Sequence, residues 1–308
     1  MRGLWNTAAR AAVVLIASAA LAAAMTTPVP GTLNYIEGQV MLNGRNMAAA
    51  STSSNVVAPG QVLDTDQGNA EMLLTPGVFL RLGHHSEVRM VSPALANTRV
   101  AVTKGEAMLE VTELFKENDL SVAMDGAITR IDKKGLYDFN AEQPAVGVLD
   151  GQATVYESDA HVKLKKGHEV LLASGDPLKA RHLDRNAIEA DALYRWSKLR
   201  GEYESEASQA SAQTIVVGGA WWGPGWYWNP SWDCYAFLPP YGVLYSPFGW
   251  GFYSPSWVWS APHYFYRYPA IHVWRPPTGA FHARVTPTFR PPDAGRIGDG
   301  FHPDFGRR

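Results

Sequence analysis

Between residues 31 and 174 the chain alternates apolar and polar positions in short runs, and glycines separate many of these runs. Alternation with a period of two over about four to eight residues is typical of antiparallel strands that bury one face. Examples of these runs are Leu33/Tyr35, Met72/Leu74, Val100/Val102, Tyr137/Phe139 and Val146/Val148. We therefore predict a mainly β fold here, an antiparallel β sandwich or roll of repeated hairpins.

The glycines between the runs predict where the chain reverses. Thr75-Pro76-Gly77 lies between two apolar runs and is expected to form a hairpin turn, because proline presets φ and glycine accepts a positive φ. Similar turns are predicted at Lys104-Gly105, Asp150-Gly151 and Lys166-Gly167.

The order of short motifs along this segment resembles the FecR domain. The first half contains APGQVLDT (residues 58–65), NAEMLL (69–74), PGVFLRLG (76–83) and SEVR (86–89). The second half contains AITRIDKKGLYDFN (127–140), VLDGQATV (148–155) and KGHEV (166–170). The match covers residues 31–174, which we assign as a FecR-like β domain.

The resemblance implies a β domain in the bacterial cell envelope. In the best-known members, this periplasmic domain takes a signal from an outer-membrane transporter and passes it through one membrane helix to a sigma factor. A helical segment that contacts the sigma factor precedes that membrane helix. Here ten residues precede the first apolar run, so we carry over the fold and the location but not the anti-sigma activity.

The first 24 residues have the form of a secretory signal peptide. Arg2 and Arg10 precede the uncharged run Ala11–Ala24, which ends in small residues that fit a cleavage site. The alternative is an uncleaved membrane anchor, but the run is shorter than the roughly 20 residues that a spanning helix needs. We expect export to the periplasm or cell envelope, with membrane contact only through this segment if it stays uncleaved.

A helix is predicted over residues 184–213. Asp184 is its candidate N-cap, and an apolar face would contain Ile188, Ala192, Trp196, Leu199 and Tyr203. Glu202, Glu204 and Glu206 are expected on the other sides. The helix either packs Trp196 against the β domain or binds a partner.

Residues 214–308 form a tail of different composition. Residues 221–274 contain nine Trp, eight Tyr and four Phe, interleaved with proline and glycine. We describe the tail as low in complexity and expect partial disorder; the alternative is a compact appendage stacked on the β domain. Exposed aromatic rings enrich binding surfaces, so the candidate partner-binding residues are Trp226, Trp228, Trp232, Trp250, Trp257 and Trp259. The alternative is that they bury one another and form a satellite core.

Sequence motifs for catalysis are absent. The chain has no nucleophile-elbow, P-loop or dinucleotide-binding motif, and its single cysteine cannot form an internal disulfide or a CxxC metal site. The adjacent His84 and His85 would point to opposite faces of a strand, which does not favour a shared metal. We therefore assign no catalytic residue, cofactor or metal. A net charge of -2 gives no reason to expect a nucleic-acid partner.

These observations favour a non-enzymatic, exported FecR-like protein that acts in the envelope as a sensor, scaffold or binding module. The partner would be an envelope protein or a glycan. One alternative is a periplasmic component of FecR-type signalling to a sigma factor through a separate membrane partner. A second alternative is a glycan-binding module that uses the tail aromatics.

Overall fold

A computed structural model describes residues 28–48, 54–172 and 177–260. The predicted signal peptide and residues 261–308 of the tail lie outside the described residues. The strands of the large sheet are β1 (Thr32–Leu42), β2 (Arg45–Asn46), β3 (Val62–Leu73), β4 (Val78–Leu82), β5 (Glu87–Ala94), β6 (Asn97–Lys104), β7 (Glu106–Val111), β8 (Leu120–Met124), β9 (Ala127–Ile131), β10 (Gly135–Asn140), β11 (Ala145–Asp150), β12 (Gln152–Glu157), β13 (Ala160–Lys165), β14 (His168–Leu171) and β15 (Arg181–His182).

The described strands confirm the mainly β prediction. They form one large sheet in the order β13-β12-β9-β8-β6-β5-β3-β4-β7-β10-β11-β14-β15, with β1 on β3 and β2 on β1. One buried cluster contains apolar residues from both ends of this order, Leu164 of β13 and Val170 of β14. The sheet therefore rolls around a single core. The period-two alternation makes one face of the sheet apolar, and that face lines the core.

The turn at Thr75-Pro76-Gly77 joins a true hairpin. Strands β3 and β4 pair antiparallel on either side of it, and Gly77 has a φ of 82°. This prediction is confirmed, and the proline and glycine have the roles that turn chemistry gives them.

The other three predicted glycine turns do not join paired strands. Strand β6 pairs with β5 and β8, whereas β7, which follows Gly105, pairs with β4 and β10. Gly151 and Gly167 likewise separate strands that lie in different parts of the sheet. All three have positive φ, so they are corners where the chain crosses the roll. A local turn signal does not specify which strands pair across it.

Most strand pairs are antiparallel, but β6 and β8 pair in parallel, with Thr98 opposite Leu120. The chain reaches β8 only after β7 has paired on the other side of β4. A parallel pair needs a crossover connection, so the described sheet is mixed rather than a simple series of hairpins.

The predicted helix is two helices. The first, α1, spans Arg185–Ala190, and the Oδ1 of Asp184 accepts a hydrogen bond from the Ala187 N–H at 3.1 Å, as an N-cap does. Asp191 then has extended backbone and caps α2, which spans Ala192–Val216. Its Oδ1 accepts from the Leu193 N–H at 2.6 Å. A second cap aspartate therefore divides the predicted segment.

Part of the aromatic tail is folded. The structure contains two hairpins, β16 (Gly225–Asn229) with β17 (Cys234–Leu238) and β18 (Val243–Tyr245) with β19 (Gly251–Tyr253). A short helix α3 (Pro255–Ser260) follows them. Aromatic side chains of both hairpins share a buried cluster with Leu73 and Phe79 of the large sheet. For these residues the structure shows the compact appendage, not an extended low-complexity tail.

Candidate functional site

After Glu204, the buried residues of α2 are all small, which lets the two hairpins approach the helix closely: Ala207, Ser208, Ser211 and Ala212. Ser208 Oγ donates to the carbonyl of Phe237 at 2.8 Å and accepts from the Tyr253 N–H at 3.0 Å. Ser205 Oγ donates to the carbonyl of Gly251 at 2.6 Å. Both hairpins are therefore attached to one helix by hydrogen bonds to their backbones, which fixes their position.

An inner aromatic cluster joins the hairpins to the sheet. Trp226 contacts Phe79 edge to face with ring centroids 5.2 Å apart, and Phe252 stacks on Phe79 at 5.8 Å. Phe237 lies 5.8 Å from both Trp226 and Phe252. Trp226 is only 8% exposed, so this candidate partner-binding residue contributes to the core instead.

The other five candidate tryptophans lie in different environments. Trp228 is partly buried against the inner cluster, and the indole N–H of Trp250 donates to the Lys198 carbonyl at 3.0 Å. Trp232 is exposed in the turn of the first hairpin, 6.2 Å from the Tyr203 ring. Trp257 and Trp259 are exposed on α3. The structure thus gathers no single surface from the six predicted residues.

Two tryptophans, together with aliphatic and proline residues, line an open cleft where α2 ends. This aromatic cleft has a volume of about 380 Å³ and is lined by Ile215, Val216, Trp221, Pro240, Pro255, Ser256 and Trp259. Large exposed side chains flank these residues along the chain, namely Val217, Trp222, Tyr241 and Trp257. Sequence reasoning found Trp259 but missed Trp221, because composition does not show which rings of an aromatic segment face solvent. Exposed apolar side chains around a cleft make it a candidate interaction surface.

Beneath α2, the outer face of the sheet carries buried charges. Glu71 of β3 lies directly opposite Arg81 of β4, and Arg81 Nε donates to Glu71 Oε2 at 2.7 Å. Arg81 Nη1 donates to Glu110 Oε2 of β7 at 2.5 Å. All three side chains are fully buried. Charged groups out of water need such partners, because an unpaired buried charge is strongly destabilising.

The helix completes this group, which we call the buried ion cluster: Glu71, Arg81, Glu110, Arg200 and Glu204. Arg200 Nη2 of α2 donates to Glu71 Oε1 at 2.9 Å and to Glu204 Oε1 at 2.6 Å. The guanidinium also lies 4.1 Å from the centre of the Tyr35 ring. The cluster therefore joins three strands to α2 through charge-assisted hydrogen bonds.

Asn34 connects the cluster to the first hairpin. Its Nδ2 donates to Glu71 Oε1 and to Glu204 Oε1, each at 3.0 Å, and its Oδ1 accepts from the Tyr235 N–H at 2.8 Å. Glu71 and Glu204 thus share two donors, Asn34 and Arg200, which brings their carboxyl groups together. Two close carboxyl groups disfavour double ionisation.

The carboxyl groups of the cluster have different protonation behaviour. Burial acts to raise the pKa of Glu71, but Arg200 and Arg81 outweigh it and lower that pKa to about 2. Burial raises the pKa of Glu110 despite its bond to Arg81. Burial and then the charge of Glu71 raise the pKa of Glu204 well above its ordinary value. Three carboxyl groups face two guanidinium groups, so a proton on Glu204 balances the charge.

The sequence pattern predicted the wrong side of the helix for Glu204. It was expected away from the apolar face, yet it is fully buried, whereas Leu199 is 40% exposed. The described buried face of α2 includes Ser197, Arg200, Gly201 and Glu204. Such a face has little apolar periodicity, because its buried groups are paired charges and small residues. No signal in the helix sequence alone identifies it.

The remaining reactive groups of the described residues are dispersed. Within residues 28–48, 54–172 and 177–260, no set of three His, Cys, Asp or Glu side chains is arranged to hold a metal ion. His85 is exposed, with its Nδ1 3.0 Å from Asp66 Oδ1. Cys234 is buried beside Ala207 and Ala236, and burial raises the pKa of its thiol. A raised thiol pKa disfavours the nucleophilic thiolate.

The helices of the described residues include none with the length and apolar character that a bilayer crossing requires.

Comparisons with known proteins found similarity at the level of structure alone. No protein-family model matches the chain, and no curated protein matches it. Two crystal structures of a "putative anti-sigma factor" from Parabacteroides distasonis, at 2.50 and 1.65 Å resolution, align with TM-scores of 0.37. Their identities are 16% and 15%, and each alignment covers 42% of this chain. The chain spans 62% and 63% of those two chains.

Proposed function

We propose that this protein is an exported, non-enzymatic binding module of the bacterial cell envelope. The rolled sheet provides a rigid base, and the aromatic cleft with its exposed neighbours makes the contact with a partner. The observation that carries the proposal is the exposure of Trp222, Tyr241 and Trp259, at 77%, 72% and 71%, on segments next to the two anchored hairpins. Soluble monomers rarely expose contiguous apolar surface without a binding role.

The anchoring of this surface supports binding over simple packing. Hydrogen bonds from α2 hold both hairpins, and the inner aromatic cluster joins them to the sheet. A surface that is fixed before contact loses less conformational entropy when it binds. The exposed rings lie next to these anchored hairpins and are not required by the core.

Export is proposed from residues 1–24, with their basic start, apolar run and small-residue end. The envelope location is also what the FecR-like motif order implies. Fractionation of cells that produce the full chain tests both, because an exported protein is recovered with the periplasm or envelope. Recovery in the cytoplasm with an intact N-terminus contradicts the proposal.

Binding is tested by sedimentation with isolated cell envelopes and with peptidoglycan. We expect the full chain to sediment, and we expect the double variant Trp222→Ala/Trp259→Ala to stay largely in the supernatant. Trp232→Ala is the matched control, because Trp232 is exposed in a hairpin turn and does not line the cleft. Equal sedimentation of all three proteins, or no sedimentation of the unaltered chain, contradicts the proposed function.

A second candidate is a FecR-type signalling component that works through a separate membrane partner. Its support is the FecR-like order of the motifs, in which PGVFLRLG contains Pro76-Gly77 of the turn and all of β4, and SEVR contains the start of β5. A tagged chain crosslinked in cells tests it. Recovery of a transporter or a membrane-bound sigma regulator supports this function, and its absence alongside intact envelope binding favours the binding module.

A further inference from the structure

The aromatic cleft has no charged lining. Its seven lining residues are aliphatic, aromatic or proline, apart from the hydroxyl of Ser256. An anionic or cationic ligand would lose hydration here and gain no opposite charge. The lining therefore selects for a neutral ligand.

The cleft is also built before any ligand arrives. Trp221 stacks on Tyr227 with ring centroids 5.4 Å apart and an angle of 11° between the rings. The Tyr227 hydroxyl donates to the Gly223 carbonyl at 2.7 Å and accepts from the Trp222 N–H at 2.9 Å. Pro255, which also lines the cleft, is buried and begins α3, which carries Trp259. The two tryptophans of the lining thus come from separate segments of the chain.

The size of the opening fits a small ligand. Its volume of about 380 Å³ lies in the range of small-ligand pockets, roughly 300 to 1,000 Å³.

The tryptophans supply the chemistry for a sugar. The face of an aromatic ring carries partial negative charge, so it attracts the polarised C–H groups on the apolar face of a pyranose ring. Indole N–H groups and the Ser256 hydroxyl can meet sugar hydroxyls at the rim. Resting on the proposed binding function, we propose that the aromatic cleft binds a short stretch of neutral polysaccharide, with sugar rings stacked on Trp221 and Trp259.

Isothermal titration of the full chain with chitohexaose and cellohexaose tests this proposal. Both are neutral β-linked pyranose chains, and a polyproline decapeptide provides a competing ligand class. We expect at least one hexasaccharide to bind, and we expect Trp259→Ala to weaken that binding about tenfold or more, as removal of one stacking ring does. Trp259 is 71% exposed, so this variant keeps the fold. Trp232→Ala should bind like the unaltered chain.

Several results overturn the proposal. These are no binding of either hexasaccharide, equal affinity of the Trp259→Ala variant, an equal loss in Trp232→Ala, or binding of polyproline alone. Envelope sedimentation separates this failure from failure of the proposed function. If Trp222→Ala/Trp259→Ala loses envelope binding while no hexasaccharide binds, the surface still binds a partner, and only the sugar assignment is wrong.

Discussion

Replacing Arg200 with methionine should destabilise the protein strongly, because Arg200 is the only helix cation among the described partners of Glu71 and Glu204. The change leaves the buried carboxylate of Glu71 with Arg81 as its remaining cation. Breaking a buried charge pair by removing one partner costs about 3 to 5 kcal/mol. Urea unfolding of the full chain at pH 7, followed by tryptophan fluorescence and circular dichroism, measures that loss.

The matched control is Arg195→Met on the same helix. Arg195 is exposed, and its Nε donates to the Asp191 carbonyl at 3.3 Å. Its replacement should change the free energy of unfolding by less than about 0.5 kcal/mol. Equal losses for Arg195→Met and Arg200→Met would show that methionine in the helix, rather than the cluster, causes the effect.

Glu204→Gln distinguishes the charge argument from simple packing. If Glu204 carries a proton, glutamine preserves its shape and neutrality, and the cost should stay within about 1 kcal/mol. The raised pKa of Glu204 also determines whether stability rises or falls with pH. The unfolded chain releases the Glu204 proton near pH 4.5, whereas the folded chain keeps it to higher pH because its pKa is raised. Stability therefore falls as pH rises above 4.5, and Glu204→Gln should flatten this fall.

Glu71 should produce the opposite dependence of stability on pH, at acidic pH. Its pKa of about 2 means that stability is lost as pH falls from 4.5 towards 2, and Glu71→Gln should flatten that loss. Finding that Glu204→Gln is as damaging as Arg200→Met at pH 7 would refute the assignment of the proton to Glu204. An unchanged pH profile in both glutamine variants would refute the cluster as a source of pH dependence.

Three further changes test other parts of the structure. Trp226→Ala should cost about 3 to 5 kcal/mol in urea unfolding, because the ring is in the inner cluster, whereas Trp222→Ala should cost less than about 0.5 kcal/mol. Gly151→Ala should lower the melting temperature more than Gly44→Ala: both have positive φ, but an added Cβ at Gly151 would lie 2.4 Å from the Tyr137 hydroxyl. Burial and three nearby acidic residues raise the pKa of Asp138 to about 7, so stability should fall between pH 4 and 7, and Asp138→Asn should reduce that fall in thermal melts.

The β fold could be predicted because it depends on local patterns. Alternation at residues such as Val146 and Val148 gives one apolar face, and the glycines mark where strands stop. The strand order depends on which segments meet across the roll. Gly105 and Gly151 are needed for positive φ in crowded corners, where an added Cβ would lie 2.3 Å from Ser86 Oγ and 2.4 Å from the Tyr137 hydroxyl. This crowding comes from strands that are distant in sequence, so only glycine fits at these corners. In the sequence, such a glycine cannot be distinguished from the glycine of a hairpin turn.

The candidate site could be predicted less well, because it also depends on tertiary contacts that local sequence patterns do not show. Aromatic composition identified the segment that forms the cleft, but Trp226 is buried and Trp222 is exposed although only three residues lie between them. Whether each ring is buried or exposed depends on how the short hairpins pack and on which side chains α2 covers. Intrinsic composition gives the number of rings, while tertiary packing decides which of them face solvent.

The buried ion cluster explains why α2 and the aromatic hairpins belong to the same folded unit as the sheet. Glu71 is more than a hundred residues from Arg200 in sequence, yet Arg200 and Asn34 both donate to its Oε1. Well-packed apolar residues could hold a helix here at similar or lower cost. Paired charges add a requirement for register, since a helix shifted by one residue would leave Arg81 and Arg200 facing the wrong groups. The cluster therefore joins α2 to β3 through Glu71, and Asn34 extends the same network to the first hairpin.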